Sequence, residues 1–270
     1  MVNEIGGRRA DRNGLETPLT RRQAVGLGLA GIAAAIAAAC GSSPTDGGDP
    51  TAGRLQARPA PPTGSVSPGL QPLDLESGRD GLLYVPAGYR ADQPAPLVLM
   101  LHGAGGSAQG GLRPFQPLAD AAGLILLAPD SRDVTWDLVR RGFGVDVAFI
   151  DRALAQTFGR VAVDSARVAV AGFSDGASYS LSLGLTNGDL FGRVIAFSPG
   201  FMEPARRRGR PPLFVSHGTR DDILPIDACS RPIVRALLRD GYDVHYREFN
   251  GPHTVPAEIA SEAAAWLAAA

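Results

Sequence analysis

The chain predicts an α/β fold, a doubly wound and mostly parallel sheet, and three observations carry that prediction. Short continuous apolar runs, Leu97-Val98-Leu99-Met100-Leu101 and Leu124-Ile125-Leu126-Leu127-Ala128 foremost, suit strands buried on both faces. Such runs alternate with helix-period stretches through the second half of the chain. Finally, Gly172-Phe173-Ser174-Asp175-Gly176 follows a β-branched run and precedes a small-residue helical stretch, a strand–turn–helix context.

The elements follow in order. Residues 81–85 read as an early strand near a sheet edge, since they run into Pro86, which cannot donate to a ladder. A buried strand over 97–101, a helix over 115–122 and a strand over 124–128 come next. A helix over 145–158 is predicted to turn Val147, Phe149 and Ile150 inward and Asp146 and Arg152 outward. Residues 167–171 form the central strand, and a helix over 176–186 leaves the glycine-flanked serine. Strands over 194–197, 213–216 and 244–249 alternate with helices over 232–239 and 256–267. Alternation of this length implies parallel strands with right-handed crossovers.

Ahead of this pattern the chain reads differently. Residues 1–40 read as an export signal, because Thr20-Arg21-Arg22 precedes an apolar run over 23–39. As a helix that run reaches roughly 26 Å, short of a hydrocarbon core of about 30 Å. Its end, Ala37-Ala38-Ala39-Cys40-Gly41, resembles a bacterial lipobox, so Cys40 is the expected site of lipid attachment. Residues 41–70, rich in Gly, Ser, Pro and Thr, are expected to form a flexible tether, leaving 71–270 as the folded catalytic domain. The protein is thus expected outside the cytoplasm, as an envelope lipoprotein or a secreted product, meeting a membrane only through that anchor.

Composition removes several chemistries. All 26 basic residues are arginine, which excludes Schiff-base lysines, a Walker lysine and a Ser-Lys dyad. A net charge of −1 gives no case for nucleic acid. Two cysteines, Cys40 and Cys229, make no disulfide framework, and four histidines without an H-E-x-x-H spacing give no zinc signature. No metal or cofactor is expected. Cys229 reads as a small buried hydrophobe.

In a doubly wound sheet, functional groups collect at the carboxyl ends of strands. A serine nucleophile needs a histidine base held by a carboxylate. His102 and His217 end strands, and His245 lies inside an alternating strand pattern. His253, in the loop Asn250-Gly251-Pro252-His253-Thr254 after the last strand, is the preferred base. The segment His217-Gly218-Thr219-Arg220-Asp221-Asp222-Ile223-Leu224-Pro225 offers two neighbouring acids.

With these parts the chain resembles the α/β-hydrolase superfamily, whose acid commonly stands four residues after a strand-ending His-Gly. The resemblance selects Asp221, with Asp222 as rival, and the order Ser174, Asp221, His253 is that of the superfamily. His102-Gly103-Ala104-Gly105-Gly106 resembles the oxyanion loop of lipases and esterases. That implies the Ala104 amide as one oxyanion donor, with Gly103 as its neighbouring alternative, and the Asp175 amide as the other. His102 is expected to brace this loop. The stretches Leu83-Tyr84-Val85-Pro86 and Asp146-Val147-Ala148-Phe149-Ile150 look like secreted polyhydroxybutyrate-depolymerase and feruloyl-esterase relatives. Phospholipase/carboxylesterase proteins are close neighbours by the same features. The resemblance implies hydrolysis of small or polymeric carboxylic esters without a cofactor. A thioesterase or peptidase with the same triad, or a silent surface binding lipoprotein, is the alternative.

The interval over 198–210 is too short for a helical cap, which predicts an open cleft. The longer loop over 129–144 carries Trp136, expected either to line the substrate site or to pack beneath its own loop.

Overall fold

The structure is a computed structural model that describes residues 51–269; the segment 1–40 expected to be an export signal, Cys40 included, lies outside the described residues. One eight-stranded sheet organises the chain: β1 (Gly69–Pro72), β2 (Gly81–Val85), β3 (Ala95–Leu101), β4 (Ile125–Pro129), β5 (Val163–Phe173), β6 (Arg193–Phe197), β7 (Leu213–Gly218) and β8 (Val244–Phe249). Its order is β1-β2-β4-β3-β5-β6-β7-β8, with the β1–β2 and β2–β4 pairings antiparallel and all the other pairings parallel. The predicted doubly wound, mostly parallel sheet is present.

Residue alternation in β3 divides the core. Leu97, Leu99 and Leu101 face a cluster shared with helices α3 (Val145–Arg160), α4 (Asp175–Thr186) and α5 (Ser230–Arg239). Val98 and Met100 face the other cluster, with α1 (Ala108–Leu112), α2 (Gln116–Ala122) and α6 (Ala257–Ala268). A strand clad on both faces must be apolar throughout, which explains the unbroken run. No helix occurs over 198–210, so nothing caps the carboxyl ends of β6 and β7 there.

Three expectations meet the structure here. The strand over 81–85 lies near the sheet edge, as expected, one strand in from it. β1, whose Gly69-Leu70-Gln71-Pro72 carries no apolar run, pairs outside it and leaves Leu70 exposed. Secondly, residues 51–70 are not a tether. Leu55 is fully buried, and its amide donates to Asn187 Oδ1 at 2.9 Å. Arg54 pairs with Asp189 at 2.7 Å, and the Gln56 and Ala57 amides both donate to Asp151 Oδ1. One leucine and one arginine, used at full value, anchor a stretch whose Gly/Pro-rich composition reads as unstructured.

Asp146 is the third. It is buried rather than outward, accepting the Arg132 and Asp137 amides at 2.6 Å each, so it staples the loop over 129–144 to the start of α3. Burial pushes its carboxyl up to about 6. Arg152 does point out, and Val147, Phe149 and Ile150 point in, as predicted.

Candidate active site

The sheet brings Ser174, Asp221 and His253 to one end, from the turns after β5, β7 and β8. Ser174 sits between β5 and α4 with φ 58° and ψ −121°, a left-handed backbone that side chains adopt only under strain. The turn is too tight for anything but glycine at its flanks. A Cβ on Gly172 would fall 2.1 Å from the Gly176 carbonyl oxygen, and one on Gly176 would fall 2.3 Å from that of Leu101. The spacing Gly-x-Ser-x-Gly is therefore a steric requirement of this bend.

His253 Nδ1 donates to Asp221 Oδ2 at 2.6 Å, and the His253 ring packs on Phe173 with centroids 4.7 Å apart. Asp221 is buried against His253, whereas its neighbour Asp222 is exposed. The other Asp221 oxygen, Oδ1, accepts the Ile223 and Leu224 amides at 3.0 and 2.8 Å. Burial pushes the Asp221 carboxyl up, but hydrogen bonds from His217, His253 and the Leu224 amide outweigh it. The net effect holds the carboxyl well below the ordinary carboxylate range, so it stays charged beside the imidazole.

The glycine loop after β3 abuts the serine: a Cβ on Gly103 would lie 3.3 Å from that of Ser174. Neither the Ala104 amide nor the Asp175 amide donates to an acceptor among the described residues. Both are available to a negative oxygen, and Asp175 opens α4, where the helix dipole favours such charge. The Asp175 carboxylate turns inward instead. It accepts the Thr135 hydroxyl, and burial raises its pKa.

His102 braces the loop, as the sequence implies. Nε2 accepts the Ser131 amide at 3.0 Å, which leaves the proton on Nδ1 for the Gly103 carbonyl at 2.7 Å. Burial lowers the pKa of this ring, consistent with a neutral brace.

Trp136 does not line the cleft. It is completely buried, its Nε1–H donates to the His102 carbonyl at 2.8 Å, and its ring lies between His102 and Tyr179. Of its two expected positions, packing beneath the loop is the one observed. Trp136→Ala should therefore lower unfolding free energy by about 3–5 kcal/mol in urea titration, with little change in KM.

Two further residues stand near the site, Arg113, which the sequence does not single out, and His217, which it passes over as a base. Arg113, at the end of α1, lines a cleft of about 420 Å³ together with His253, Gly103, Ala104 and Phe173. No acid lines that cleft, and Arg113 has no ion-pair partner among the described residues. His217, the last residue but one of β7, is fully buried, with Nε2 placed 3.1 Å from Asp221 Oδ2 and 2.7 Å from the Leu224 carbonyl. The strand-ending His-Gly marked its place, but not its reach to the acid. His245, as expected, occupies a strand's polar face, where it meets Glu262.

Comparison with known proteins agrees with this architecture. The Phospholipase/Carboxylesterase family matches residues 138–259. Feruloyl esterase C of Emericella nidulans is 31% identical over 182 residues, covering 62% of this chain and 66% of that protein. Probable feruloyl esterase C of Aspergillus niger is 30% identical over 159 residues, covering 56% of this chain and 58% of that one. The chain thus spans less than two thirds of either relative. The solved structure of fluorophosphonate-binding serine hydrolase F of Staphylococcus aureus superposes with a TM-score of 0.58 at 14% identity, covering 75% of this chain and 99% of that one. The sheet order, the strained serine turn and these likenesses together give the chain an α/β-hydrolase fold, with sequence similarity to feruloyl esterases and, over residues 138–259, to the Phospholipase/Carboxylesterase family.

Proposed function

We propose that the chain hydrolyses carboxylic esters through an acyl-serine at Ser174. The observation that carries this reading is the 2.6 Å hydrogen bond between His253 Nδ1 and Asp221 Oδ2, beside a strained serine and two unengaged amides. That bond leaves His253 Nε2 as the base. In the first step Nε2 takes the Ser174 hydroxyl proton as Oγ attacks the ester carbonyl. The negative charge gathers on the carbonyl oxygen, facing the Ala104 and Asp175 amides. Collapse expels the alcohol, which leaves with the proton from His253, and the acyl-serine remains. Water then adds by the same route and releases the acid. Asp221 keeps the proton of the imidazole on Nδ1 and stabilises the imidazolium.

The uncapped cleft supports bulky or extended esters, and the feruloyl esterase relatives support an aromatic acyl group among them. Arg113 adds a preference of sign. With one cation and no acid on its walls, the cleft favours an ester bearing a negative group. Arg113→Ala should lower kcat/KM for mono-p-nitrophenyl succinate about three- to tenfold and leave neutral p-nitrophenyl butyrate unchanged, as an exposed ion pair predicts.

Labelling of the folded protein by a fluorophosphonate probe, followed by a p-nitrophenyl ester chain-length series beside feruloyl and polyester substrates, tests the proposal. No labelling and no turnover would leave a binding lipoprotein as the reading. Thr20-Arg21-Arg22 and Cys40 support export with lipid attachment at Cys40. Mass spectrometry of the mature N-terminus decides it, since an unmodified Cys40 peptide removes the anchor.

A further inference from the structure

His217 has no part in the proton transfers above, yet it is the most enclosed titratable side chain beside them. Its side chain and that of Asp221 are both completely shielded from solvent. Nε2 faces two acceptors, Asp221 Oδ2 at 3.1 Å and the Leu224 carbonyl at 2.7 Å, so Nε2 must carry a hydrogen. Nδ1 has no partner among the described residues. Asp221 Oδ2 is therefore shared by two imidazoles, His253 at 2.6 Å and His217 at 3.1 Å, while Oδ1 is saturated by two backbone amides.

We propose that His217 is a positioning residue of this site, a second imidazole donor that holds the Asp221 carboxylate for His253 and moderates its basicity. A buried carboxylate with one free lone-pair direction can rotate; with four donors it cannot. The donor also draws charge from Oδ2. Without it His253 would face a more basic partner, and its protonated form would be stabilised. The same bond to the Leu224 carbonyl ties the acid-bearing turn to the strand end.

The other charged groups around this cluster are already engaged. From β8, Glu248 stands in register with His217 and pairs with Arg231 of α5 at 2.6 Å. Tyr246 of the same strand pairs its hydroxyl with Ser230 at 2.9 Å. On the acid's own loop Asp222 is exposed and Arg220 reaches the Asn250 carbonyl. From α4, the buried Asp175 is held by Thr135 and lies within electrostatic reach of His253.

The inference rests on the reading of Ser174, His253 and Asp221 given above, and the test separates the two. In kcat/KM against pH, His217→Leu should raise the midpoint of the acid limb by about half to one pH unit, as loss of one buried hydrogen bond predicts. The plateau should fall about tenfold. His217→Gln, whose side-chain amide nitrogen can stand near the position of Nε2, should restore the limb. A limb that stays in place in His217→Leu, or moves equally in both variants, overturns the role. Should His217→Leu not fold, nitrogen-15 spectra of the unaltered protein decide. A hydrogen on Nε2 of His217, with a signal displaced by Asp221→Asn, supports the proposal, and a hydrogen on Nδ1 overturns it. An active, probe-labelled enzyme with an unmoved limb removes only the role of His217; an unlabelled protein removes the ester-hydrolase reading as well.

Discussion

Ser174→Ala should lower kcat for p-nitrophenyl esters by about 10⁶-fold, and the fluorophosphonate label should vanish with it. The residual rate comes only from the oxyanion amides and substrate binding, which the substitution leaves in place. The turn supplies an internal control. Ser174 holds φ 58°, a conformation that costs a non-glycine residue about 1–2 kcal/mol. Ser174→Gly should be as inactive as Ser174→Ala but more stable than either it or the unaltered protein, read from urea midpoints. An inactive glycine variant with no gain in stability would show that the turn is relaxed rather than strained. Retention of most esterase activity in either variant would place the chemistry elsewhere.

The second large effect separates two adjacent acids. Asp221→Asn should cost about 10³–10⁴-fold in kcat, because an amide at this position no longer fixes the proton on His253 Nδ1. Asp222→Asn, at an exposed position with no hold on the base, should stay within about threefold. Asp221 also couples activity to acid stability. Its carboxyl titrates below the ordinary range when folded, so the stability it contributes is present above about pH 4 and is lost as the pH falls through the lower folded value. Asp221→Asn should flatten that acid-side fall in urea midpoint, whereas Asp222→Asn should leave it.

How much of this was legible beforehand depended on the kind of signal. The buried strands of the sheet announce themselves, since a run such as Leu97–Leu101 has no other comfortable environment. The serine turn was equally readable, because the clashes at Gly172 and Gly176 are local and spacing-bound. Contacts that join distant parts of the chain leave no such trace. Nothing near Leu55 indicates that Asn187 will receive its amide, and the polar Gly69-Leu70-Gln71-Pro72 becomes a strand only because β2 offers it an unpaired edge. Asp146 looked like an outward helix residue because periodicity does not register a loop folding back to cover it. The sequence leaves Trp136 between two positions and sets His217 aside, for want of their partners, His102 and Asp221. The motif offers two neighbouring acids and the resemblance prefers Asp221; its burial against His253 supports that preference.

The anchored stretch at Arg54 and Leu55 changes the scale of any surface attachment. Were the chain held by a lipid at Cys40, only the residues between it and the docked segment at 51 would set its reach, at most about 40 Å even when fully drawn out. A leash of that length is about one domain diameter. It would keep the catalytic body grazing the membrane plane, sampling polymer or lipid fragments that accumulate there instead of sweeping the volume beyond.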